Sequence, residues 1–189
     1  MSAIQSESLT AEQYSALPTY QKLDRLRKHL DYTKQTVTTA REAVRSHTPQ
    51  PSGSLQQDMQ TYRVMGLLLA EDSTGTASMS MMTKSLFQQL HHLQIFEPTQ
   101  EPPVTQPSDP FHTVMEKEFT VILQELENLR AEFDDVSHLD DLDKQDVTKA
   151  ATSCYESMLR FRNAARWRCG QIGSETFSSL SQGTYNLDL

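Results

Sequence analysis

The sequence predicts an all-α protein: an antiparallel bundle of four or five helices with coiled-coil-like seams and polar tails. Three observations predict it. Apolar residues recur at alternating steps of three and four through three long stretches, the period of a seam that meets another helix along its length. No strand signal longer than a few residues interrupts them. The long stretches also differ in charge, one acidic and two basic, so they suit one another as neighbours.

Residues 1–18 form a polar N-terminal segment. Thr10 and Gln13 within it have the form of a capping box, which predicts a short helical turn to Leu17 before Pro18. Thr19 is the expected cap of the first long helix, 20–46, whose seam reads Leu23, Leu26, Leu30, Thr33, Val37, Ala40 and Val44. Thr33 interrupts an otherwise apolar line. Between Tyr20 and Arg45 seven basic residues stand against three acidic ones, a net +4.

Thr48-Pro-Gln-Pro-Ser-Gly-Ser marks a linker over 47–54. A weaker helix, 55–70, follows with Met59, Tyr62, Met65, Leu68 and Leu69 on its apolar side, and Gly66 lowers its propensity by about 1 kcal/mol. A loop over 71–78 leads to a helix over 79–96 that uses Met82, Leu86, Leu90, Leu93 and Phe96. The crossover 97–109 holds Pro98, Pro102, Pro103 and Pro107 and is expected to be extended.

The chain is organised around the stretch from Ser108 to Arg168, which reads as two long helices joined by an acidic turn. In Ser108-Asp109-Pro110, Asp109 is the expected N-cap and Pro110 the expected first helical residue. The seam then reads Phe111, Met115, Phe119, Ile122, Leu126, Leu129, Phe133 and Val136, widened by Val114, Val121 and Leu123, which favours a bundle core over a narrow zipper. Ser137 with Asp140 resembles a capping box for the second helix. Its seam is Val147, Ala151, Cys154, Met158, Phe161, Ala165 and Ile172, with Gly170 or Gly173 as the expected C-cap. Residues 174–189 read as a flexible Ser/Thr-rich tail, leaving 19–173 as the bundle. Twelve acidic residues stand against three basic ones over 108–146, and five basic against one acidic over 147–169. Such surface pairs contribute roughly 0–1 kcal/mol each, so they set orientation more than stability.

At 189 residues the chain reads as one domain with tails. Its formal net charge of −8 argues against nonspecific nucleic-acid binding by the whole molecule. Cys154 and Cys169 lie fifteen residues apart, about 22 Å along a helix, too far to bridge. Two free thiols point to a reducing, cytoplasmic compartment. The N-terminus lacks the basic and apolar regions of a secretory signal, although secretion routes that read a polar N-terminus stay open. No apolar run approaches the roughly 20 residues of a membrane span.

The best site candidate is Arg160, Arg162, Arg166 and Arg168 with Trp167. Arg162 and Arg166 share a helix face. Guanidinium groups grip phosphate or carboxylate bidentately, and an indole offers a flat stacking surface. The competing reading is structural: cations in the last turns of a helix favour its negative end and pair with the acidic helix. Asp134, Asp135, Asp140, Asp141 and Asp143 lack the glycine and glutamate of a calcium loop and read as a solvated turn. His91 and His92 point about 100° apart on a helix, so neither they nor the other histidines suggest a metal. Cys154 is a seam residue, and Cys169 beside Arg168 is weak grounds for a reactive thiol. Met79, Met81 and Met82 either line a partner groove or fill an uneven core. No catalytic, phosphate-cradling or dinucleotide motif is present; no cofactor or metal is expected.

These observations predict a non-enzymatic protein-protein interaction module, a subunit or adaptor whose partners are other protein subunits or a second copy of itself. The alternative is a binding domain for an anionic ligand, nucleic acid or phosphorylated peptide, through Arg160–Arg168.

Overall fold

The computed structural model describes residues 9–70 and 78–181; residues 1–8, 71–77 and 182–189, and with them most of the loop expected over 71–78, lie outside the described residues. Helices α1 (Ala11–Ser15), α2 (Thr19–Ser46), α3 (Leu55–Leu69), α4 (Met79–His92), α5 (Phe111–Asp134) and α6 (Lys144–Ser181) pack together, with a single 3₁₀ turn at Leu139–Asp141. There is no strand among the described residues.

Helix α5 makes its main contacts with α2 on one side and α6 on the other. All seven seam residues of α2 are buried, and so are Met115, Phe119, Ile122, Leu126, Leu129 and Phe133 of α5 and every seam position of α6 from Val147 to Ala165. Thr33, at the interruption, donates its hydroxyl to the His29 carbonyl at 2.7 Å, so its burial leaves no hydroxyl unsatisfied. The α2–α5 pairing is antiparallel, and its polar contacts keep one register. Arg27 reaches the carbonyls of Phe133 and Val136 at 2.8 and 2.6 Å. Asp31 meets Arg130 at 3.0 Å, Lys34 meets Glu127 at 2.6 Å, and Arg41 and Arg45 both hold Glu116 at 3.2 and 2.7 Å.

Helix ends depart from the sequence expectations. The Thr10–Gln13 capping box forms, closed from both sides at 2.9 and 3.2 Å. Thr19, Asp109 and Pro110, by contrast, do not play the roles predicted for them. Pro18 and Pro110 occupy the cap positions and no side chain caps either helix; each proline's fixed extended backbone feeds the first turn directly. The Ser137–Asp140 box is replaced by Asp143, whose carboxylate accepts from the amides of Gln145 and Asp146 at 3.1 and 3.2 Å. Helix α6 also runs through Gly170 and Gly173 to Ser181, so the expected tail is helical over 174–181. A helical glycine costs about 1 kcal/mol but does not end a helix unless a left-handed residue or a proline follows. Helix α4 does end in that way, earlier than the predicted 96. Gln94 takes φ 59°, its amide donates to the His91 carbonyl and that of Ile95 to the Leu90 carbonyl at 2.9 and 3.3 Å. This is a Schellman motif, with Leu90 and Ile95 both buried.

The face of α3 also differs. Met59 and Tyr62, expected inside, are 63% and 60% exposed, while Asp58 and Thr61 are buried with Val64, Met65 and Leu68. The linker explains this. Ser52 donates to Asp58 at 2.8 Å, Thr61 donates to the Gln50 carbonyl at 3.2 Å, and the His47 ring meets the Thr61 hydroxyl at 2.8 Å. Residues 47–54 fold back over α3 and supply polar partners that a hydropathy pattern does not register.

His29 ties α2 to α4. Its Nε2 lies 2.9 Å from the Met82 carbonyl, which can only accept, so Nε2 carries the proton and Nδ1 accepts from the Gln89 amide at 3.1 Å. Burial holds its pKa below the ordinary histidine value. Two predictions follow from these local environments. A Cβ at Gly66 would meet nothing within 4 Å, so Gly66→Ala should raise stability by about 1 kcal/mol and the calorimetric Tm by about 2–4 °C. The unfolded chain protonates near pH 6.5 and folded His29 only lower, so stability should fall as pH drops below about 6.5. That part of the fall should vanish in His29→Gln, measured as denaturation midpoints between pH 7.5 and 5.

Candidate functional site

The arginine-rich face of α6 exists, but its cations point to different partners. Arg160 Nε donates to Glu118 Oε1 at 2.9 Å, and Ser157 donates its hydroxyl to the other oxygen of the same carboxylate. Glu118 and Ser157 are buried, while Arg160 keeps half its side chain in solvent. A buried carboxylate needs such partners, because an unpaired one is costly. Arg162 and Arg166, on the face they were predicted to share, both reach Glu101 at 3.4 and 2.9 Å. Arg168 donates to the Pro49 carbonyl at 2.9 Å and to Gln171 at 2.8 Å. Trp167 is half-buried. Arg160 pairs with the acidic helix, while Arg162 and Arg166 reach the crossover.

The proline-rich crossover is therefore part of the site. Ile95 and Phe96 anchor its start in the core, where Phe96, Phe87 of α4 and Tyr155 of α6 form a ring cluster with centroids 5.0 to 5.1 Å apart. Thr148 donates to the Ile95 carbonyl at 3.1 Å, and the Tyr155 hydroxyl donates to the Thr99 carbonyl at 2.6 Å. Asn163 then clamps Thr105: its Oδ1 accepts the Thr105 amide and its Nδ2 donates to the Thr105 carbonyl, both at 2.8 Å. Beside this clamp a cleft of about 460 Å³ opens between the crossover and the α5–α6 pair, lined by Pro102, Pro103, Pro107, Lys117, Glu118 and Arg160 among others. Glu101, Tyr155 and Asn163 were not singled out from the sequence, since nothing local links residue 101 or 105 to a helix some sixty residues on.

The remaining candidates separate. Asp134 pairs with Arg130, Asp143 caps α6, and no group of three or more His, Cys, Asp or Glu among the described residues is placed to hold a metal ion. His91 faces Glu97 at 3.6 Å, and His92 stacks on Tyr14 at 5.6 Å. Burial pushes the Cys154 thiol far up, whereas Cys169 is exposed. Met79 is buried, with Met81 and Met82 half-buried. No described helix is long and apolar enough to cross a membrane.

The Glu118 network gives a graded prediction. Arg160→Ala leaves a buried carboxylate with Ser157 alone and should cost about 2 kcal/mol, discounted for the half-exposed guanidinium. Glu118→Gln keeps the shape and should cost about 1 kcal/mol. Because the two share one interaction, the double variant should lose less than the sum, as read from urea midpoints.

Comparison of the chain with protein-family models, with curated proteins and with solved structures returned no match.

Proposed function

We propose that the chain is a non-enzymatic protein-protein interaction module, a subunit or adaptor of a larger assembly that acts in the cytoplasm through helical packing. In this reading the helices make an antiparallel bundle of four to five members with coiled-coil-like seams, and the partner is another protein subunit or a second copy.

The observation that carries it is the inverted face of α3. Met59 and Tyr62 stand one turn apart in solvent on a helix whose buried side holds Asp58 and Thr61. Polar groups bonded by the linker have been turned inside and large apolar ones turned out. Tyr and Met are among the residue types enriched at interfaces, Met because its flexible side chain adapts to an uneven partner. Elsewhere the charged side chains at the helix contacts join helix to helix, as Glu116 and Glu118 do on opposite flanks of α5.

A specific observation also favours the second reading, a binding domain for an anionic ligand such as nucleic acid or a phosphorylated peptide. Arg162 and Arg166 already hold one carboxylate, Glu101, between them. Binding of that kind should weaken steeply with salt and be lost in Arg162→Ala/Arg166→Ala.

The test of the first reading is solution mass by light scattering over a concentration series, with affinity capture of partners. The expected result is a defined oligomer or complex whose affinity falls at least tenfold in Tyr62→Glu, while the exposed substitution changes stability by no more than about 0.5 kcal/mol. A monomer with turnover on a substrate would overturn it.

A further inference from the structure

The crossover is held to α6 in the way a protein holds a foreign peptide. None of residues 97–109 is buried; all are exposed or half-exposed, and Val104 is 44% exposed. Glu97 faces His91 of α4 at 3.6 Å; what holds the stretch beyond it is polar and comes from α6. Tyr155 takes a main-chain carbonyl, Asn163 takes both main-chain groups of a residue six positions on, and Arg162 with Arg166 takes the one carboxylate between them. The Asn163 amide presents the same donor and acceptor pair that a neighbouring strand would offer, so it reads backbone and not side chain. The prolines keep the segment extended before it binds, which lowers the entropy lost on docking. The cleft of about 460 Å³ beside Pro102, Pro103 and Pro107 leaves this part of the segment bridging open space instead of wedged into the core.

We propose that the α6 face carrying Tyr155, Arg162, Asn163 and Arg166 is a receptor for an extended, proline-rich peptide with one carboxylate, supplied by another protein, and that residues 97–107 occupy it in cis as a built-in competitor. The ligand follows from the contacts: a carboxylate, two prolines, and four residues after the carboxylate a non-proline residue whose N–H and C=O are free. Glu101-Pro102-Pro103-Val104-Thr105 is one sequence of that form. This proposal rests on the reading of the chain as an interaction module and gives one partner its chemistry. None of residues 97–109 is itself buried, so lifting the crossover withdraws no core side chain, and Ile95 and Phe96 stay anchored.

The probe is a fluorescein-labelled synthetic peptide with the sequence of residues 97–107, titrated by anisotropy into two full-length chains. One is unsubstituted; the other, Glu101→Gln/Thr105→Pro, loses the carboxylate and the N–H that pin the crossover and keeps every helix. A tethered competitor acts at roughly millimolar effective concentration, so the unloaded chain should bind the peptide at least tenfold more tightly than the unsubstituted one. Adding Asn163→Ala, or changing the peptide's central Glu to Gln, should each weaken binding at least tenfold. In the unsubstituted chain, millimolar peptide should shift the Asn163 side-chain amide resonances, a readout that needs no substituted protein. No saturable binding to a folded, unloaded chain, or binding indifferent to Asn163 and to the peptide carboxylate, overturns the proposal; so does an unshifted Asn163 amide if the double variant fails to fold. Light scattering on the same samples separates the two readings: a specific oligomer with no peptide binding removes this receptor and leaves the module standing.

Discussion

The α2–α5 contact is the constraint on which the other helices depend. It buries the apolar stripes of both helices and fixes their register at each end by different chemistry. At the α5 C-terminus, Arg27 donates to the carbonyls of Phe133 and Val136, where the last carbonyls of a helix have no partner of their own and a cation meets the negative end of the dipole. Near the α5 N-terminus, Arg41 and Arg45 converge on Glu116, and their guanidinium groups hold its carboxyl below the ordinary carboxylate range. Individually such contacts are weak. Together they choose one of several registers that the apolar stripes alone would tolerate. From this pair the rest is built outward: α6 docks on the opposite flank through Phe119 against Phe161, 5.7 Å apart, and α4 docks on α2 through His29.

How much of this was legible depends on whether the signal was local. The α2 seam could be read in full, including Thr33, because a helix that buries one face repeats that demand every turn. Most of the buried stripes of α5 and α6 were readable for the same reason, although Phe111 and Val136 are only half-buried. Helix α3 was not, because what turned it was a polar linker that bonds Asp58 and Thr61 from outside the helix. Helix ends were the weakest part. Glycine looked like a stop at 170 and 173 and was not one, while Gln94, an unremarkable residue by type, adopted the left-handed turn that glycine usually supplies. Backbone geometry there is decided by what Ile95 and Phe96 gain in the core.

The arginine face shows the same division. That Arg162 and Arg166 act together followed from a spacing of four. That their partner is Glu101, and that Arg160 turns instead to a buried glutamate on α5, follows only from the packing of distant segments. Asn163 lay inside the highlighted stretch, but its role follows only from the placement of Thr105 beside it. It makes the most geometrically specific contact of the face, since two hydrogen bonds to one residue's backbone fix both position and direction.

The register between α2 and α5 also limits how the gene could change length. Each step along one helix is answered by a step back along the other, from Arg27 to Arg45. Removing one residue between Leu30 and Val37 would turn everything beyond it by about 100° and carry Arg41, Arg45 and Val44 off the contact together. Adding seven would nearly restore the face, leaving an error of about 20°. The same single-residue deletion in 97–107 would move no helix face. Insertions and deletions among descendants of this sequence should therefore collect in the crossover and in the linkers, and come in heptads where they strike the long helices at all.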